Sequence, residues 1–197
     1  MRTQVERGAG TRSRPGGGGA VAVAELAGGA AFSLRSVDPS ADVLRVHSWT
    51  NDPEVAAFCG LARPAEQVEA YLHQQVASAH STPYLGCLDG EPVSYWELYR
   101  ADLDPLASHY AARARDAGIR LLLGPAAARG RGLGAQLLRA VSSWQLSVEP
   151  YASRVVAEPD VRDVRSVRAF ERAGFRRLRD LTLPGKRAAF MIRERPG

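Results

Sequence analysis

Apolar and polar positions alternate over Phe32 to Val37, the two-residue period of a strand with one buried face. Asp38-Pro39 follows, a side-chain cap with proline at the first helical position, and predicts a helix running toward Trp49. Asn51-Asp52-Pro53 then breaks the chain. A short helical piece over Glu54 to Phe58 precedes Arg63-Pro64, after which Val68, Tyr71, Leu72 and Val76 recur at helical spacing, so two helices follow the first strand. Pro83 to Leu88 and Pro92 to Arg100 are alternating runs joined by Asp89-Gly90, a turn pair that predicts an antiparallel hairpin. Ala101 to Gly118 is polar and weakly patterned and reads as a long surface connection. Ile119 to Leu123 is the next strand. From Gly132 the positions Leu133, Leu137, Val141 and Trp144 keep one helix face until Pro150, and Arg154 to Ala157 reads as a short buried strand. Val164, Val167 and Phe170 mark another helix, closed by Gly174, and two last strands, Phe175 to Leu181 and Ala188 to Ile192, flank Pro184-Gly185. The order is β-α-α-β-β-β-α-β-α-β-β, an α/β (α+β) pattern with a mixed, mostly antiparallel sheet of about 6–7 strands between helices.

Composition changes this picture little. The 197 residues, 45% apolar and 24% charged, suit one domain with a full core, taken as residues 32–197. Residues 1–31 are Gly-, Ala- and Arg-rich, lack a convincing cleavage pattern, and read as a disordered leader or a mis-assigned start. No apolar run approaches the roughly 20 residues that span a bilayer. Cys59 and Cys87 stand apart, with no metal-ligand spacing and no disulfide framework, as in a cytoplasmic protein. The net charge of +5 lies partly in the leader and elsewhere is spread out; with one lysine, Lys186, the arginine bias follows coding composition rather than a nucleic-acid stripe. The four histidines, His47, His73, His80 and His109, are scattered and form no metal set, so no metal is expected.

The chemistry concentrates in Gly124 to Leu138, where glycines and arginines lie between an apolar strand and a helix. Glycines let a backbone approach a ligand closely, and neighbouring arginines point to a negative one, a phosphate above all. A P-loop is excluded because no Lys-Ser/Thr follows the glycines. Gly130 to Ala135 matches a relaxed G-x-G-x-x-A dinucleotide fingerprint, but Pro125 to Arg129 separate it from its strand, and too little chain follows for a second nucleotide-binding half.

The combination Arg129-x-x-Gly132-x-Gly134, after a strand and before an apolar helix, resembles the R/Q-x-x-G-x-G/A signature of GNAT acyltransferases. The element order from Phe32 to Ile192 and Phe170-x-x-x-Gly174-Phe175 fit the same family. A narrower resemblance lies in His47 to Val55, Pro83 to Gly90, Tyr95 to Tyr99 and Glu158 to Arg162, which look like the siderophore branch of that superfamily. Its members acylate hydroxylysine in aerobactin-type pathways or the lysine arm in mycobactin-type ones, and its relatives include aminoglycoside N-acetyltransferases. The resemblance implies acetyl-CoA or a longer acyl-CoA as co-substrate and a small-molecule amine or hydroxylamine as acceptor, without nucleic acid or membrane. It implies that the segment Arg129, Gly130, Arg131, Gly132, Leu133, Gly134 and Ala135 holds the pyrophosphate through backbone N–H groups and the helix dipole. It further implies that backbone N–H at Leu121, Leu122 or Leu123 meets the thioester oxygen, and that Asp163 and Ser166 lie near the CoA, with helix capping as their competing role.

Two departures from the family stand out. The tyrosine that often serves as general acid is Phe170 here, and the histidine of the siderophore branch is Arg120, facing Asp160, which matches that branch's aspartate. An arginine is always protonated and cannot act as a general base. Arg120 is therefore either an ion-pair partner of Asp160 or a fork for a substrate carboxylate. Loss of activity, leaving a CoA-binding module, stays open beside these. Alternation puts Tyr95, Glu97 and Tyr99 on one strand face and Trp96 and Leu98 on the other. A carboxylate between aromatics suits an amine acceptor and equally a half-exposed sheet face; His47 and Trp49 join Tyr95 and Tyr99 as acceptor-site candidates, with Glu97 beside Asp160 and Arg120 as catalytic ones.

Overall fold

The computed structural model describes residues 19–197. Among them the strands are β1 (Val21–Glu25), β2 (Ala31–Ser36), β3 (Ser81–Leu88), β4 (Glu91–Arg100), β5 (Ala117–Leu123), β6 (Arg154–Ala157), β7 (Arg176–Leu183) and β8 (Lys186–Glu194). The helices are α1 (Pro39–Thr50), α2 (Pro53–Cys59), α3 (Ala65–Val76), α4 (Leu133–Val148) and α5 (Val164–Arg172). One eight-stranded sheet runs β1-β2-β3-β4-β5-β6-β8-β7, antiparallel at every pair except β5 with β6.

Local chemistry explains the helix starts. Asp38 accepts from the backbone N–H of Ser40 and Ala41 at 3.1 Å each, with Pro39 behind it, and Asp52 and Asp163 cap α2 and α5 in the same way. The period-2 pattern of the strands sorts the core into two faces. Trp96, Leu98, Phe32, Leu34 and Ile119 meet α4 and α5 through Leu137, Leu138, Val141 and Phe170. On the opposite face Tyr95, Leu85 and Leu122 pack under α1 and α3 through Val46, Trp49, Val68 and Leu72. Farther along that face Tyr99, Leu106, Tyr110, Leu181 and Phe190 form a third cluster, and Glu97 stands between the second and the third.

Two expectations change. The leader read over residues 1–31 contains β1, which pairs antiparallel with β2 through a Gly28-Gly29 turn in left-handed geometry, φ +95° and +83°. Val23 and Leu26 pack on the main core, enough apolar contact to hold a short strand whose Ala- and Gly-rich surroundings mask its alternation. Residues 1–18 of that leader lie outside the described residues. The connection over Ala101 to Gly118 is not wholly a surface loop. It holds a 3-10 turn (Pro105–His109) and buries Leu106, Tyr110 and Asp116, because Asp116 is paired with Arg154 and so can be polar and interior at once. Cys59 and Cys87 are free thiols. Among the described residues no helix is long and apolar enough to cross a membrane.

Candidate active site

The sheet opens at one place. β5 pairs with β4 over its full length, from Ser94↔Leu123 to Arg100↔Ala117, but with β6 only at Ala117↔Val155 and Gly118↔Val156. The chain after β6 stays with β8 instead: Pro159 accepts from Ala189 at 2.8 Å, Val161 donates to Arg187 at 3.0 Å, and Asp160 bridges Ala188. Among the described residues the β6-facing edge of Ile119 to Leu123 thus has no strand beside it, and a strand edge is a row of backbone donors and acceptors seeking partners.

The glycine loop joins the end of this open strand to α4. Gly130 and Gly132 both have φ +77°, with free space where a Cβ would stand, so backbone conformation and not crowding selects glycine there. Gly132 begins α4 without any side-chain cap, and the first N–H groups of Leu133, Gly134 and Ala135 have no carboxylate over them, unlike those of α1, α2 and α5. Gly134 lies where a Cβ would come within 3.3 Å of Leu123 and 3.8 Å of Ala169, which sets the helix start against the open end of β5 and against α5. Asp163 is committed to capping: its carboxylate accepts from Ser166 N–H at 3.0 Å. Gly124 serves another purpose than phosphate. A Cβ there would stand 2.1 Å from the Trp49 ring, so this glycine admits the tryptophan.

Arg129 does not point into the loop it belongs to. Its guanidinium pairs with Asp52, reaches Glu54 at 3.2 Å and donates to the Gly124 carbonyl at 3.2 Å, and only 13% of the side chain is exposed. Glu54 also takes Arg165 of α5 at 2.9 Å. The Arg129 side chain is a strap between the loop and α2, and it holds the Asp52 carboxyl below its ordinary range.

On the α1–α3 face, register places Arg120 directly opposite Glu97. Arg120 spreads its fork over three carboxylates: Nε to Glu158 at 2.7 Å, Nη1 to Glu97 at 3.3 Å and Nη2 to Asp104 at 3.4 Å. Its carbon centre lies 4.2 Å from the centroid of the Tyr99 ring, a cation–π contact, and that ring crosses β5 where Gly118 leaves room. Tyr99 donates to Glu158 at 2.8 Å, Tyr95 donates to Glu97 at 3.0 Å, and Tyr71 donates to the same Glu97 oxygen. Lys186 donates to the Glu158 carbonyl at 2.6 Å and stands 3.9 Å from its carboxylate. Three carboxylates against two cations leave the cluster one unit negative.

The titration directions follow from this packing. Burial, then the Glu97 charge, pushes the Tyr71 and Tyr95 hydroxyls above the tyrosine range, and burial does the same to Tyr99. Burial raises the Glu158 carboxyl, but Arg120 and Lys186 overcome it and hold it below its ordinary value. Burial also lowers Lys186. A cavity of about 270 Å³ opens beside Arg120, walled by Asp104, Leu106, His109, Glu158, Leu183 and Lys186.

These contacts correct the pairing read from sequence. Arg120 and Asp160 are not partners: Asp160 is buried, receives the backbone and guanidinium of Arg162 at 2.9 and 2.7 Å, and is held low by that pair. Nor is Arg120 a free fork for a substrate carboxylate, since each of its nitrogens already serves a carboxylate and the surroundings are net negative. Trp49 is core, packed on Gly124, while His47 on α1 is half-buried. Tyr95, Glu97 and Tyr99 share one face as alternation predicts, but buried rather than half-exposed. Sequence reasoning missed Tyr71, Asp104, Glu158 and Lys186. Glu158 had a signal: two residues past Val156, it continues that strand's alternation onto the Tyr99 face. Among the described residues no group of three or more His, Cys, Asp or Glu is arranged to hold a metal.

A family model described as Acetyltransferase (GNAT) domain matches residues 38–183. The chain is 36% identical over 164 residues to the N(6)-hydroxylysine O-acetyltransferase of Escherichia coli, covering 83% of this chain and 52% of that protein. It is 31% identical over 158 residues to the lysine N-acyltransferase MbtK of Mycobacterium sp. (strain MCS), covering 80% of this chain and 65% of that one. It thus spans about half the length of the first and just under two thirds of the second. Among solved structures, an uncharacterized protein from Bacillus halodurans superposes with a TM-score of 0.83 at 32% identity, covering 89% of this chain and 90% of that one. AAC(6')-Ib in complex with parmomycin and acetyl-CoA gives 0.73 at 28% identity, covering 83% and 93%.

Proposed function

This chain belongs to the GNAT acetyltransferase family, and from that premise we propose that it is an acyl-CoA-dependent N-acyltransferase whose acceptor is an N-hydroxylated amine or a lysine side chain in hydroxamate siderophore assembly. The observation that carries the donor half is the meeting of an uncapped helix start, entered through two left-handed glycines, with an unpaired strand edge. The N–H groups of Leu133, Gly134 and Ala135 would hold the pyrophosphate, with the α4 dipole and the Arg131 charge behind them. The open edge at Leu121 to Leu123 would donate to the thioester oxygen, where negative charge develops. Acyl-CoA, when bound, supplies an activated acyl carbon. In the net transfer the acceptor N–C bond forms, the C–S bond breaks, and the proton from the acceptor nitrogen ends on the departing sulfur.

The acceptor half is supported by the names of the hydroxylysine and lysine-acylating relatives and by the state of the ionisable groups. Arg120 cannot take a proton, Asp160 is tied to Arg162, and Glu97 already serves Arg120 and two tyrosines. None of these three groups is a free base. An alkyl ammonium, with a pKa of about 10.4, would have to lose a proton first. An N-hydroxylamine is much less basic and arrives neutral near pH 7, so it fits such a site. A second reading, an aminoglycoside acceptor, is favoured by the likeness to AAC(6')-Ib.

Thiol release from acetyl-CoA decides among these, measured with N-hydroxycadaverine, N6-hydroxylysine, cadaverine, lysine and kanamycin. The expected result is fastest release with a hydroxylated acceptor. Fastest release with kanamycin would move the assignment to the second reading. No release with any acceptor, in a protein that acetyl-CoA still stabilises against heat, would leave a CoA-binding module without turnover.

A further inference from the structure

The Arg120 cluster has the anatomy of a seat for a cation. An aromatic face, Tyr99, lies under the guanidinium at 4.2 Å, and carboxylates from three separate segments converge on it: Glu97 from β4, Asp104 from before the 3-10 turn and Glu158 from beyond β6. The cluster is neither closed to solvent nor balanced in formal charge. The Arg120 side chain is 38% exposed, it opens into the adjoining cavity, and the carboxylates outnumber the cations.

Resting on the acyltransferase reading, we infer that Arg120 is the specificity-determining residue of the acceptor site: its side chain fills, from within the chain, a seat built for a cation, and so selects acceptors whose reacting nitrogen is neutral. Arg120 stands on the stretch of β5 that faces the gap, so an acceptor nitrogen brought to the open edge comes next to the guanidinium. An ammonium there meets a fixed positive charge and finds its carboxylates already taken. A neutral hydroxylamine meets neither penalty. Lys186, the second cation of the cluster, adds to the same exclusion from the β8 side.

Shortening Arg120 should empty the seat and open it to cations from solution. In Arg120→Ala the KM for cadaverine is expected to fall by about tenfold or more, the scale of a cation–π contact joined to an ion pair. The KM for N-hydroxycadaverine should change by less than about threefold on the same scale. Ethylguanidinium at millimolar concentration, which replaces the deleted group, should raise the melting temperature of Arg120→Ala but not of the wild type, and should restore the wild-type KM for cadaverine. Arg120→Lys should keep the exclusion, because it keeps the charge. If Arg120→Ala fails to fold, Arg120→Gln, neutral and of similar reach, carries the same expectations. A cadaverine KM within twofold of wild type in the neutral variant, or equal ethylguanidinium binding by both proteins, overturns the inference. Should the wild type transfer to no acceptor at all, the acyltransferase reading fails, while ethylguanidinium binding to the variant still decides the seat.

Discussion

Two arginine knots on neighbouring strands look alike and do opposite things. Arg154 on β6 grips Asp116 through Nε and Nη2 at 2.8 Å each, beside a tyrosine, Tyr110, with its centre 5.6 Å from the ring. Arg120 on β5 grips three carboxylates beside Tyr99. The first knot is sealed, its side chains 6% and 0% exposed, and its charges cancel. The second is open and carries an unbalanced negative charge. The parallel sheet pairing ends between them: Arg154 lies where β5 and β6 are still joined, and Arg120 lies just past Gly118, where they part. A charge pair held inside paired strands is sealed from water, whereas the same residue types at a strand separation lie open to solvent.

Substitutions can break that contrast. The largest loss of stability is expected for Asp116→Ala, which strips the partner from a buried guanidinium and leaves the Tyr110 hydroxyl without its acceptor; about 3–5 kcal/mol follows, read from the denaturant midpoint at unchanged slope. Next comes Gly132→Val. Left-handed backbone at a β-branched residue costs about 1–2 kcal/mol of stability, and acetyl-CoA at about 100 times its Kd, which should add roughly 2.7 kcal/mol to the wild type, should add almost nothing to the variant. Retained stabilisation by acetyl-CoA would remove the loop from the site. Arg120→Ala should lose less than half as much stability as Asp116→Ala, because water enters through the cavity to solvate the orphaned carboxylates; an equal loss would make the open knot structural too.

The smallest effect is one of pH. Glu158 is held below its ordinary value of 4.5 in the folded chain, so its pairing supports the fold fully above about pH 4.5 and is lost as pH falls through the lower folded value. Glu158→Gln should therefore be less stable than wild type at pH 7 and should narrow that gap below about pH 4. Parallel stability curves for the two proteins would mean that Glu158 is not charged and paired in the native state.

What could be read from sequence was local, and what could not depends on where strands separate. The Asp89-Gly90 hairpin, the Asp38-Pro39 helix start and the shared face of Tyr95, Glu97 and Tyr99 each follow from a few adjacent residues, and the structure contains all three. The glycine loop was legible because left-handed positions leave a residue signature. The grip of Arg129 on Asp52 was not legible, since nothing near Arg129 announces a residue 77 positions earlier in the chain. For Arg120 the sequence offered Asp160, the acid that the family resemblance supplied, or a substrate carboxylate. The choice of Glu158 is made by β6 turning away toward β8, a long-range pairing with no periodic trace in the sequence. β1 was lost in the leader because a strand of only five residues signals weakly among Ala and Gly, and it is held by Val23 and the adjoining Leu26 against the core.

Acceptor selectivity as a function of pH bears most directly on the claim that the open knot demands a neutral nitrogen. Between about pH 7 and about pH 10, the ratio of kcat/KM for N-hydroxycadaverine to that for cadaverine should start high and fall by up to about tenfold per pH unit, as free alkylamine accumulates toward its pKa near 10.4. A ratio near one that does not move across this range would contradict it.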